Sequence, residues 1–117
     1  MRVFKKGHIV PIEGGKRIEE FLGVQSKVDK FSVAHMIMPP GWTEPSHATK
    51  FDELVIVAQG ELTIIENKQE YIIKQGQVGW VTSTEDVVFC NNSQGECIYW
   101  AICVPAFSMD RVVFKSE

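Results

Sequence analysis

Gly41-Trp42-Thr43-Glu44-Pro45-Ser46-His47-Ala48-Thr49-Lys50-Phe51-Asp52-Glu53-Leu54-Val55-Ile56-Val57-Ala58-Gln59-Gly60 is the stretch on which the reading of this chain turns. It follows Pro39-Pro40, and neither proline can donate to a β-ladder, so a strand must end there. A polar loop with one histidine and two glutamates then leads into Leu54–Ala58, closed by Gln59-Gly60. Those five residues are apolar without alternation, the pattern of a strand covered on both faces. Cys97-Ile98-Tyr99-Trp100-Ala101-Ile102 has the same character. One face of such strands can line a barrel interior, and the other needs the N-terminal strands or a second subunit.

Outward from this stretch, helical periodicity is nearly absent. Runs rich in Val, Ile, Phe and Tyr recur between breaks of Gly, Pro, Asn and Lys, which predicts an all-β sandwich or barrel. Strands are expected near Ile18–Val24, Lys30–Met38, Glu53–Gln59, Glu61–Glu66, Gln69–Lys74, Gly79–Thr82, Val87–Cys90 and Cys97–Val104. Ser26–Asp29 and Glu66–Gln69 read as hairpin turns, and Asn91–Gly95 as a longer polar loop.

The 117 residues suit one compact domain, and 44% hydrophobic content is enough for a core. A formal net charge of -3, with no long basic stripe, argues against nucleic acid as the main partner. No apolar run approaches membrane-spanning length, and the charged N-terminal residues are followed by no signal-like stretch. Cys90, Cys97 and Cys103 are odd in number and form no Cys-x-x-Cys pair, so they read as reduced, packed thiols in a cytoplasmic protein. Cys90 lacks the neighbouring base that a nucleophile would need. A domain this small has little chain to cover two-sided strands, which makes a homodimer the expected assembly.

The spacing of Gly41, His47, Glu53 and Gly60 resembles the first motif of the cupin superfamily, Gly-x5-His-x-His-x3–4-Glu-x6-Gly, with Thr49 in the place of the second histidine. The second motif, Gly-x5-Pro-x-Gly-x2-His-x3-Asn, is met by Gly76 and Asn91, whereas Thr82, Thr84 and Val87 replace its proline, inner glycine and histidine. The resemblance implies a double-stranded β-helix, or jelly-roll barrel, over residues 1–117 as a single domain, with the motifs near 41–60 and 76–91. Phe51-Asp52-Glu53, followed by Gly60-Glu61-Leu62, also looks like the core of the ethanolamine-utilisation Q-type cupins, a group that lacks the histidine set. That likeness implies a metal-poor, ligand-binding barrel and not a particular reaction.

Cupin metal sites use three imidazoles and a carboxylate, so in this chain the resemblance leaves His47 and Glu53 facing Thr49 and Val87. Two ligands fall short of the three that a catalytic zinc or iron site needs. His35, Cys90 and the loop residue Glu44 are the nearby residues from which a third would have to come. The preferred expectation is a metal-independent site, enzymatic or not, for a small polar metabolite, with no confident cofactor. His47 and Glu53 would be its tentative catalytic pair, and Trp42 (at the rim), Thr49, Val87, Phe89 and Tyr99 its ligand contacts. The alternatives are an isomerase or dioxygenase using a divalent metal on His47 and Glu53, or a non-catalytic module that senses a metabolite. Trp80 and Trp100 are expected in the core or at a dimer interface.

Overall fold

The computed structural model describes residues 1–115. Eleven strands follow in chain order: β1 (His8–Val10), β2 (Arg17–Leu22), β3 (Ser32–Met38), β4 (His47–Thr49), β5 (Asp52–Gln59), β6 (Glu61–Glu66), β7 (Gln69–Lys74), β8 (Val78–Val81), β9 (Val87–Cys90), β10 (Cys97–Val104) and β11 (Val112–Phe114). Short 3₁₀ turns occupy Val24–Ser26 and Met109–Arg111. All eight expected strands form, with ends shifted by up to two residues. The three that the sequence did not betray, β1, β4 and β11, have three residues each, too few to show a period.

The strands make two antiparallel sheets, a six-stranded one in the order β1-β2-β3-β10-β5-β8 and a five-stranded one in the order β11-β4-β9-β6-β7. They wind into a double-stranded β-helix, and the chain passes from one sheet to the other at Gly60, between β5 and β6. A left-handed residue is needed at this corner: Gly60 has φ +79°, and a Cβ there would stand 2.5 Å from the Glu96 carbonyl oxygen. The β6–β7 hairpin turns on Asn67-Lys68, both at positive φ, which is the twist a two-residue hairpin requires.

Between the sheets lies a core that includes Met38, Val55, Val57, Leu62, Phe89 and Tyr99. Alternation sets it. In β10, Cys97, Tyr99, Ala101 and Cys103 are buried while Ile98, Trp100 and Ile102 are half-buried on the other face. β1 and β2 do not cover that outer row; they extend the same sheet beyond β3. Phe21 and His35 pack against Trp100 there, with ring centroids 5.6 and 4.7 Å away. Trp80 is not in the core, being 56% exposed on the edge strand β8.

Asn91 joins two loops at one end of the barrel. Its side-chain nitrogen donates to the carbonyls of Met38 (3.0 Å) and Gly95 (2.8 Å), and its oxygen accepts from the Ser93 amide (3.0 Å). Its backbone bonds to Trp42 and Gly41 pin the β3–β4 loop that leads to His47.

Candidate functional site

A cavity of about 620 Å³ opens between the sheets, within the size range of small-molecule sites. Its wall is largely apolar, with Ala34, Met36 and Ala101 from the six-stranded sheet and Phe89 from the other. Into this apolar space project Lys16, Glu44, His47 and Glu53.

Lys16 stands just before β2 and is 7% exposed. Its Nζ donates to the Tyr99 hydroxyl at 2.9 Å and lies 4.9 Å from the centre of the Trp42 ring. Burial pushes the ammonium toward its neutral form, and the charges of Glu44 and Glu53 partly oppose this. Tyr99 is enclosed among neighbours that disfavour its anion, so it remains a phenol.

Glu53 shares the inward face of β5 with Val55 and Val57. Its surface is half-buried because it borders the cavity, yet the barrel encloses it elsewhere, and that enclosure governs its acidity. Burial first, then the charge of Glu44, push its carboxyl up to about 7, with Lys16 pulling the other way. No hydrogen bond from the described residues offsets the cost of holding it there.

Glu44 reaches the cavity too, where burial raises its pKa; its Oε1 accepts the Phe89 amide at 2.9 Å. The same oxygen lies 3.7 Å from His47 Nδ1, so the carboxylate beside His47 is Glu44 and not Glu53. A direct His47–Glu53 pairing is therefore replaced by a Glu44–His47 pair and a separate Glu53. His47 Nδ1 also sits 3.0 Å from the Pro45 carbonyl oxygen; an acceptor there requires the proton on Nδ1.

Of the residues expected at the site, Trp42, His47, Glu53, Phe89 and Tyr99 line the cavity, whereas Thr49 and Val87 do not. The Thr49 hydroxyl is committed to backbone, donating to Phe51 O at 3.3 Å and accepting from Thr84 N at 3.4 Å. Val87, 1% exposed, is packed into the core opposite His47. His35 points away from the cavity, onto the outer face against Trp100. Lys16 escaped sequence reading because it lies outside both motifs, and an isolated lysine before a strand has no spacing signature. Glu44, a loop residue in the sequence, reaches the cavity because its loop folds back over β9.

These residues do not fit a metal. Among the described residues no group of three or more His, Cys, Asp or Glu side chains is arranged to hold an ion. Two of the four usual positions carry a backbone-bonded threonine and a valine, and a lysine amine shares the cavity with the carboxylates. The three cysteines are buried and free, and burial raises each thiol, that of Cys97 to about 11, so none is an activated nucleophile.

Two antiparallel sheets wound around a cavity with charged groups in an apolar wall define a barrel of the double-stranded β-helix class. Residues 34–104 match the Cupin domain family, and the chain belongs to it. A Myxococcus xanthus protein named Endoribonuclease YbeY is 48% identical over 104 residues, a match that takes in 88% of this chain and 35% of that protein. The chain thus spans about a third of that relative's length. Among solved structures, the EutQ protein of Clostridium difficile superposes with a TM-score of 0.66 at 15% identity, over 78% of this chain and 63% of that one. The polyketide cyclase RemF of Streptomyces resistomycificus gives 0.72 at 14% identity, over 97% and 78%. Likeness at these identities is likeness of fold.

Proposed function

We propose that this cupin binds a small, mostly apolar metabolite with a polar end, and does so without a metal. The supporting observation is Glu53, a carboxyl in the barrel with no hydrogen-bond partner from the described residues, facing a cavity large enough for such a ligand. A carboxyl that borders an apolar cavity and has no partner in the wall is placed to meet a ligand there. Lys16, Glu44, Tyr99 and Trp42 complete the set of contacts, and His47, oriented by Pro45 and Glu44, is a further hydrogen-bonding group in the wall. A carboxyl that titrates near neutrality suits general acid or base work, which makes Glu53 the group to test for catalysis.

Native mass spectrometry with metal analysis on untagged protein tests this reading. The expected result is a retained small molecule, or thermal stabilisation by added metabolites, with metal far below one per chain. Near-stoichiometric metal that is lost on His47→Ala would overturn it.

A second reading, a sensing module without turnover, is favoured by the curated relative being a much longer protein in which this barrel accounts for a minority of the length. The ribonuclease activity in that relative's name is not proposed for the barrel, whose net charge of -3 offers little to a phosphate backbone. We further propose a homodimer formed through the outer face of the six-stranded sheet, where Ile98, Trp100 and Ile102 lie beside Leu54 and Ile56. Sedimentation should return twice the chain mass, and Trp100→Glu should return the chain mass; a monomeric wild type would sink the idea. Three buried free thiols support a reducing, cytoplasmic setting.

A further inference from the structure

We propose that Lys16 captures a carbonyl: its Nζ, held in the cavity beside the Tyr99 hydroxyl, condenses with an aldehyde or ketone group of the bound molecule to form an imine. This rests on the reading of the cavity as a small-molecule site and specifies the chemical class of its occupant.

The placement of Lys16 sets it apart. It is buried, whereas the other eight lysines are exposed. Buried lysines are normally paired with a carboxylate, yet among the described residues none lies within ion-pair distance of this one. Its polar neighbour is a neutral phenol, 2.9 Å away. The rings of Trp42 and Tyr99 stand 4.9 and 5.5 Å from Nζ, positioned to favour a cation, whether ammonium or iminium. An amine in such surroundings is available in its neutral, nucleophilic form. Glu44, Glu53 and Cys97 are the titratable groups whose charges bear on it; both carboxyls are themselves held toward the protonated acid, and the thiol stays neutral.

The chemistry balances within the cavity. Neutral Nζ attacks the carbonyl carbon, a C–N bond forms, and the C=O π pair moves to oxygen. That oxygen gains a proton as nitrogen gives one up, which yields a carbinolamine. A further proton from a carboxylic acid lets the oxygen leave as water while the nitrogen pair forms the C=N bond. Glu53 and Glu44 are the acids at hand. No oxidant or reductant is consumed.

The test is site-resolved trapping. Wild-type protein is incubated at pH 7 with hexanal or benzaldehyde and sodium cyanoborohydride, then mapped by peptide mass spectrometry. Lys16 should be alkylated severalfold more than any exposed lysine, since its burial leaves more of its amine neutral at this pH. This preference should shrink as pH rises toward the ordinary lysine value of 10.5. Lys16→Arg should abolish the adduct, and the comparison among lysines of the wild type stands even if that variant folds poorly. Labelling of Lys16 no greater than that of the surface lysines overturns imine formation. The matching alcohols, 1-hexanol and benzyl alcohol, separate the two ideas by thermal shift. Stabilisation by alcohols without trapping at Lys16 removes the imine and keeps the pocket; no stabilisation by any probe and no trapping removes both.

Discussion

Glu53→Gln is expected to make the folded protein more stable at pH 8, by about 2–3 kcal/mol, and to leave it no more stable at pH 4. In the unfolded chain this carboxyl ionises near its ordinary value of 4.5; in the barrel it is pushed up to about 7. The native state therefore binds the proton more tightly. Whatever stability the neutral acid confers is fully present below the unfolded value and is lost as pH climbs through the folded one. Glutamine is neutral throughout and escapes that loss. Each tenfold change in proton affinity is worth about 1.4 kcal/mol, and the figure is set below the full linkage value because the cavity can admit water to Glu53. Urea unfolding of both proteins at pH 4, 6 and 8 reads the effect directly. A gap that does not widen with pH would show that the carboxyl is not held as described. The same substitution should weaken ligand binding, so that stability and function move in opposite directions, as at sites kept for use rather than for folding.

Asn91→Ala should cost about 3 kcal/mol and lower the melting temperature on the order of 10 °C. The side chain is fully buried and bonded at both its nitrogen and its oxygen. Alanine would strand the carbonyl of Met38 away from water and leave that of Gly95 to the Ser93 hydroxyl alone. Asn91→Asp should be no better, because a carboxylate cannot donate to two carbonyls and adds a buried charge. Thermal and chemical denaturation of both variants check this. A wild-type midpoint in either would mean that the loops at this end of the barrel hold without the amide.

The fold was legible because a few residues with no substitute mark its corners. Gly60 takes a left-handed conformation against a carbonyl, and Asn91 satisfies backbone groups on two loops; both sit at their motif positions. The site was legible only in part, for reasons that are local. Spacing places a residue on a strand, but it does not say which groups claim its side chain. Thr49 and Val87 fell in register with the motif and were still lost to the cavity, one to backbone hydrogen bonds and the other to the core. The direction of His35 needed a neighbour of known facing: Ala34 and Met36 border the cavity, so His35 between them must turn outward. The Glu44–His47 contact depends on how a loop folds back over β9, which no period encodes.

One consequence follows from where Lys16 sits in the chain. The stretch that matches the family, residues 34–104, does not contain it; the amine arrives from outside, on the segment entering β2. Scaffold and amine are thus separable cassettes. Exchanging the leader of β2 between related barrels would transplant or delete an amine at the heart of the vessel without altering a single residue of its staves.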